Sequence, residues 1–205
     1  NNPHKGNDFP DTVLINEIVN KGDNIRLSGQ DYKFGETVVE NGMLIDPAII
    51  GAIASFGINE VNVIRKPIVS LISTGNELVM PGEKLNEGQI YDSNSYAISA
   101  AINSSGAECK MHKILSDKKE DVDKLYENCS QSDLIVTIGG VSKGDFDLIR
   151  DAISSKGNID FWGINMKPGK PLAFGQVVLN NEEVFHIGLP GNPVSSYVCF
   201  ELFIR

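Results

Sequence analysis

The sequence predicts a doubly wound α/β domain with a mainly parallel sheet over residues 66–205, preceded over residues 1–65 by a small β-rich unit carrying one helix. Three observations predict this. From Arg65-Lys66-Pro67 onward, apolar runs alternate with amphipathic segments, the pattern of a parallel sheet covered on both faces. Before that point the apolar runs are short and punctuated by Gly22, Gly29, Gly35 and Asn41-Gly42, as in a small β unit. The length of 205 residues accommodates one or two domains, and no apolar run approaches the ~18 residues of a membrane span.

Taken in order, residues 1–11 are polar, with Pro3, Gly6 and Pro10, and read as a loose arm. Short β-type runs follow at 12–15, 24–27 and 37–39. Asp46 then caps a helix with Pro47 at its first position, Ile49, Ala52, Ile53 and Phe56 repeat at helical spacing, and Gly57 ends it. In the second unit, 68–72 is a buried strand and 95–102 a helix, with Asp92, Ser93 or Asn94 as its cap. A strand is expected at 111–115 and a helical stripe at Val122, Leu125, Tyr126 and Cys129. The most apolar strand, 134–138, runs into Gly139-Gly140. Phe146, Ile149 and Ile153 stripe another helix. Strand runs follow at 159–164, 172–174, 177–179 and 184–187, with a hairpin turn at Asn180-Asn181. Pro193 opens a last helix.

Composition excludes several function classes. Eighteen basic against twenty-seven acidic side chains give a formal charge of −9, the wrong sign for general binding to nucleic acid or to an anionic membrane. Cys109, Cys129 and Cys199 form neither a CxxC motif nor an even disulfide framework, and His4, His112 and His186 share no local metal-ligand spacing. A reducing cytoplasm is the expected location. The chain lacks an initiator Met and stops at Arg205 inside an apolar-periodic segment, so it reads as an excerpt of a longer protein.

The candidate chemistry sits where open α/β sheets bind ligands, beyond the carboxyl ends of the strands. Four unusual turns are expected there: Ser73-Thr74-Gly75-Asn76-Glu77, the run from Gly139 to Asp147, Lys167-Pro168-Gly169-Lys170-Pro171, and Gly188-Leu189-Pro190-Gly191-Asn192-Pro193. Glycine in the second loop lets backbone N–H groups approach an anion at a helix start. The loop is neither a Walker A sequence nor GxGxxG, and by itself it could equally be a tight strand-to-helix turn. Asp145 and Asp147 follow it. A carboxylate beside a phosphate site suits Mg²⁺, although an acid in the first turn of a helix also answers the helix dipole. The two prolines around Lys167 and Lys170 restrict the backbone and hold two ammonium groups near one place, as an oxyanion needs; a solvated basic turn is the plainer alternative. Glu77 reads either as a ligand-site acid or as a capping acid. Ser142 is a better anion ligand than nucleophile, since no histidine adjoins a candidate nucleophile and GxSxG is absent.

Taken together these loops resemble the molybdopterin molybdenumtransferase family, the MoeA or gephyrin E-domain type. The resemblance rests on Ser73 to Leu78, Pro81-Gly82-Glu83, Gly88 to Asn94, Gly139 to Asp147, Met166 to Gly175 and Gly188 to Ser195. It is weaker upstream, at Arg26-Leu27-Ser28-Gly29-Gln30-Asp31. It departs from the pattern at Asn76, where many members carry Asp, and at Lys143, where an apolar residue is usual. The resemblance implies a molybdopterin-binding α/β fold. It also implies insertion of molybdenum from molybdate into adenylated molybdopterin, with release of AMP and help from Mg²⁺. It gives Glu77, Asp117 and Asp147 as catalytic acids, with Glu77 and Asp147 toward the metal. Thr74, Gly139, Gly140, Ser142, Gly144, Lys167, Lys170 and Pro190 are implied to bind substrate. It further implies a homodimer, whose cleft a second protomer completes, and the molybdopterin adenylyltransferase as a partner. The alternatives are a non-catalytic pterin-nucleotide-binding or scaffold module, or the adenylyltransferase itself, whose usual Gly-Gly-Thr-Gly loop is here Gly-Gly-Val-Ser-Lys-Gly.

Overall fold

The computed structural model describes residues 14, 16–116, 121, 124, 126, 128–139 and 146–205, with the backbone alone for 146–148 and 161–162. The chain divides into two compact units, Asn1–Val63 and Ile64–Arg205; the boundary expected at 65/66 lies two residues from that division.

In the first unit, helix α1 (Pro47–Ser55) begins as its sequence dictates. The Asp46 side chain accepts from Ile49 N, and proline occupies the first turn, where its missing N–H costs nothing. Ile49, Ala52 and Ile53 form its half-covered stripe. The strands expected at 24–27 and 37–39 are not formed, and the run at 12–15 falls outside the described residues except for Leu14. The segments close turns instead, with Asn24, Gly22, Gly29, Gly35 and Gly42 at positive φ. Short β-type runs gain nothing from being extended unless a neighbouring strand takes up their N–H and C=O groups. The Arg26-to-Asp31 element is such a turn: Arg26 Nη1 lies 2.9 Å from Asp31 Oδ2, and Leu27 N donates to Gln30 Oε1.

The second unit is built on a six-stranded sheet. Its strands are β1 (Ile68–Ser73), β4 (Glu108–Met111), β5 (Leu134–Ile138), β6 (Gly157–Trp162), β7 (Ala173–Leu179) and β8 (Glu182–Leu189). They lie in the order β4-β1-β5-β8-β7-β6. Pairs β1–β4, β1–β5 and β5–β8 are parallel, while β7 pairs antiparallel with β8 and β6. A two-stranded parallel ribbon of β2 (Leu78–Val79) and β3 (Ile90–Tyr91) stands apart from it. Helices of this unit whose bounds lie within the described residues are α2 (Asn94–Ser104), α3 (Phe146–Lys156) and α4 (Pro193–Phe203).

Side chains alternate across strands, so each strand feeds two cores. Val69 and Leu71, Val136 and Ile138, and Ile187 and Leu189 face α2 and α4, where Ile98, Ile102 and Phe200 complete a cluster. Ile72, Ile135 and Val177 face the other way, against Ile149 and Ile153 of α3 and against Tyr126 and Cys129. Helices therefore cover both faces, and the doubly wound, mainly parallel class holds for this unit, with an antiparallel flank.

Several element boundaries differ from expectation. The strand expected at 111–115 is 108–111: the β1 ladder is used up at Leu71 opposite Met111, and the chain then leaves the sheet until Leu115 bridges Thr74. The runs 172–174 and 177–179 are one strand, β7, because pairing with β8 is unbroken through Gly175 and Gln176. The strand at 159–164 starts earlier, at Gly157, and ends at Trp162. The expected stripe from Val122 to Cys129 lies largely outside the described residues, though 121, 124 and 126 are helical. The Asn180-Asn181 hairpin is present, with both residues at positive φ (51° and 67°), the conformation a two-residue turn of this kind requires.

Candidate functional site

In the parallel part of the sheet, β1 lies between β4 and β5, and chain order reverses direction there. The crevice beyond the carboxyl ends of the two strands flanking that reversal is where open sheets take ligands. Those ends are Thr74 and Gly139. Thr74 is held rigidly by its backbone: its N–H donates to Ile138 O at 2.9 Å, and Gly75 N donates to Leu115 O at 3.3 Å. Gly139 sits at φ +88°, and a Cβ there would fall 2.6 Å from Thr74 O, so only glycine allows the two turns this approach. The β8 turn joins them. Gly139 N donates to Leu189 O at 3.1 Å, a Cβ on Gly191 would meet Gly139 Cα at 3.7 Å, and Pro190 is buried.

Two helices begin beside this junction. Asn192 caps α4 by accepting from Ser195 N at 3.2 Å, with Pro193 in the first turn. For α2, Asp92 is the residue whose side chain accepts, from Ser95 N at 3.0 Å. Asn94, at the start of α2, donates from Nδ2 to Gly191 O at 2.7 Å and pins the β8 turn. The partner of Asn94 is ninety-seven residues away, and no local pattern signals it.

The basic turn is anchored on α4. Gly169 is buried at φ +103°, and a Cβ there would collide with Cys199 Sγ and Met166 Cε, while Cys199 Sγ donates to Gly169 O. That close seat fixes the backbone between Lys167 and Lys170 and leaves both lysines exposed. Lys167 and Lys170 are thus on a turn docked to the helix that follows Gly191. Glu77 is exposed, and its carboxylate folds back over Gly75, where a Cβ would lie 2.7 Å from Oε1. From Gly75 a cleft of about 660 Å³ extends along Asn76, Met80, Glu83, His112, Lys113 and Ser116. Its far wall is the segment that left the sheet after β4. Ser116 Oγ donates to Asp121.

Asp117, Gly140, Ser142 and Gly144 lie outside the described residues, as does the side chain of Asp147, which occupies the second position of α3. The structure therefore brings together Thr74, Gly139 and Pro190, with Glu77 and the Lys167–Lys170 turn on adjoining supports. Among the described residues no group of three His, Cys, Asp or Glu is arranged to hold a metal ion.

Outside the crevice, His112 Nε2 is 2.8 Å from Ser70 Oγ, which is also 2.7 Å from Ser132 Oγ. Ser70 lies on β1 and His112 just past the end of its parallel neighbour β4, and sequence does not reveal pairing. Ser70 has no exposed surface, so this is a buried network and not a nucleophile open to substrate. Burial, and then Lys110, push the His112 pKa below its ordinary value. A fully buried histidine lies across the same face: His186 holds Tyr126 Oη at 2.9 Å and Thr137 Oγ1 at 3.1 Å, and burial lowers its pKa to about 3.

Comparison with known proteins agrees with this architecture. Residues 70–205 match the family described as "Probable molybdopterin binding domain". The chain is 38% identical over 195 residues to the molybdopterin molybdenumtransferase of Haemophilus influenzae, covering 95% of this chain and 47% of that protein. It is 37% identical over 202 residues to molybdopterin molybdenumtransferase 2 of Mycobacterium tuberculosis, covering 95% and 49%. A crystal structure of the molybdopterin biosynthesis MoeA protein from Pyrococcus horikoshii superposes with a TM-score of 0.70 at 38% identity, over 81% of this chain and 40% of that one. The chain spans about half the length of the curated relatives it matches. On its family match and on the fold that carries it, the chain belongs to the molybdopterin-binding domain family.

Proposed function

We propose that the protein containing this chain inserts molybdenum from molybdate into adenylated molybdopterin and releases AMP. The observation that carries this reading is the crevice at the β1/β5 reversal, where Thr74, Gly139 and Gly191 meet beside the start of α4. Adenylated molybdopterin carries a pyrophosphate, and molybdate is itself an oxyanion. Both call for glycine turns that bare the backbone, a positive helix end and fixed ammonium groups. Family membership supports a molybdopterin substrate, and the names of the curated relatives support transfer of molybdenum.

Lys167 and Lys170 are assigned to hold the anion and to stabilise charge that develops as the phosphoanhydride breaks. Gly139, Gly140, Ser142 and Gly144 are assigned to cradle it, and Pro190 to shape the β8 turn. Glu77, Asp117 and Asp147 are the acids. For Mg²⁺ the donor chemistry fits: the Glu77 carboxylate lies against Gly75 at the end of β1, and carboxylate oxygen is the hard donor that this cation takes. Glu77 and Asp147 are the residues assigned to it, and the ion, when bound, supplies charge neutralisation at the phosphate oxygens. The whole protein is proposed to be a cytoplasmic homodimer that receives its substrate from the molybdopterin adenylyltransferase.

The test is AMP release from adenylated molybdopterin with molybdate, catalysed by the full-length protein. Asp147→Asn keeps size and hydrogen bonding but loses the charge, so it should slow release about a hundredfold while leaving nucleotide affinity nearly intact. Absence of AMP release by the wild type would refute the reading. Loss of nucleotide binding in Asp147→Asn would refute the role given to that acid.

A further inference from the structure

Asn41 is the one asparagine of the chain that a glycine follows. The two residues form the middle of a tight turn in the first unit, in which Met43 N donates to Glu40 O at 3.2 Å and Gly42 stands at φ +89°. A turn with positive φ at its third residue calls for glycine there. Both residues are exposed, and a Cβ added to Gly42 would meet nothing within 4 Å. The glycine that the turn requires therefore also leaves the Asn41–Gly42 peptide unshielded.

Two groups in this turn are unspent. Among the described residues, neither the Asn41 carboxamide nor Gly42 N–H makes a hydrogen bond. The turn is closed only by Met43 N and by Glu40 N, which donates to Met43 Sδ at 3.2 Å. Other asparagines followed by a small residue are held. Asn94 donates to Gly191 O, and the next N–H, that of Ser95, donates to Asp92 Oδ1. Asn103 lies within α2, donates to Ser99 O and accepts from Cys109 N. Asn192 precedes Pro193, whose nitrogen carries no hydrogen. Asn180 and Asn181 also stand exposed in a tight turn, but each is followed by a residue whose side chain crowds the backbone nitrogen.

We infer that Asn41 is a site of spontaneous deamidation, by way of a cyclic imide formed with the backbone nitrogen of Gly42. That nitrogen loses its proton and attacks Asn41 Cγ. The new N–C bond closes a five-membered ring, the Cγ–Nδ2 bond breaks, and Nδ2 leaves with the proton as ammonia. Water then opens the ring. Addition at Cγ gives aspartate, and addition at the Asn41 main-chain carbonyl carbon gives isoaspartate, with the chain running through the former side chain. Nothing is oxidised or reduced, and water is the only co-reactant. Either product adds a carboxylate to a stretch that already holds Glu36 and Glu40, and takes the formal charge one unit below −9. Isoaspartate also lengthens the main chain inside the turn, so the bond from Met43 N to Glu40 O is lost. The inference concerns the first unit and is independent of the proposed function.

The test incubates the full chain, as wild type and as Asn41→Gln, folded and in urea, at mildly acid and mildly alkaline pH. Peptide mapping by mass spectrometry should find a gain of about one dalton first at Asn41, as the amide becomes a carboxylate. Both aspartate and isoaspartate should be present there. The rate should rise with pH, because the attacking nitrogen must lose its proton. Folded wild type should convert no more than about tenfold slower than the chain in urea, the factor that one neutral hydrogen bond supplies. Glutamine would have to close a six-membered ring, so Asn41→Gln should keep its charge on ion exchange over the same time. Conversion at another asparagine ahead of Asn41, a rate that does not rise with pH, or folded wild type slower than the unfolded chain by more than that factor would each overturn the inference.

Discussion

At the amino end of the central sheet, Arg65 grips Asp133 with both terminal nitrogens at 2.5 and 2.6 Å, Asp133 Oδ2 accepts from Ile68 N, and Glu108 N donates to Pro67 O. At the carboxyl end of the same strands, Thr74 Oγ1 is buried and unpaired, Gly139 and Gly169 take positive φ, and two lysines stand exposed on a rigid turn. The strands are continuous between the two ends, so the difference is not one of packing. At the amino end these polar groups are paired with one another. The carboxyl end keeps donors and space in reserve, at some expense to the stability of the free protein. A sheet of this topology thus divides its labour: closure at one end and recognition at the other.

Four changes would break or sharpen that contrast. The largest effect is expected from Gly139→Ala. Its Cβ would lie 2.6 Å from a backbone oxygen that cannot yield, and φ +88° is unfavourable for any L side chain. A stability loss of roughly 3 kcal/mol by urea unfolding is expected, with the crevice blocked. Next is Lys170→Ala, which should weaken AMP binding by about 1–3 kcal/mol at low salt and by less as ionic strength rises, read by titration at two salt concentrations. Fold stability should not change, because the ammonium is exposed.

Between the two ends, His186 sets a pH dependence. Its folded pKa of about 3 lies below the ordinary 6.5, so the unfolded chain binds the proton more tightly. Its contribution to stability is complete above pH 6.5 and is lost as pH falls from there toward 3, by at most about 1.4 kcal/mol per pH unit. Urea midpoints between pH 7 and 5 should fall with this sign, and His186→Gln should flatten the slope. The smallest effect belongs to the amino end. The hydrogen bond from Arg65, aided by that from Ile68 N, lowers the Asp133 pKa to about 2. Its contribution is present above the ordinary value of 3.8 and is lost as pH falls through about 2. Asp133→Asn should cost about 1 kcal/mol at neutral pH, since the pair is partly in solvent, and should leave AMP binding as in wild type.

Much of this contrast was legible in the sequence, for local reasons. Asp46-Pro47 and Asn192-Pro193 announced helix starts because a cap and a fixed φ act within one turn. Asn180-Asn181 announced a hairpin because both residues tolerate positive φ. The glycine turns at Gly75, Gly139 and Gly191 marked the carboxyl rim before any pairing was known. What stayed hidden depends on which strands are neighbours. The Ser70–His112 contact, the bridge from Leu115 to Thr74 and the Asn94 bond to Gly191 all join segments far apart in the chain. The β-type runs at 24–27 and 37–39 misled for the same reason: their residues suit a strand, but no partner strand is formed beside them among the described residues.

The most direct test of the contrast is hydrogen–deuterium exchange of the full chain with and without saturating AMP. The account predicts slower exchange on binding at 73–76 and 188–196, with 65–69 and 131–135 unchanged. Protection confined to the amino end, or none at either end, would contradict it.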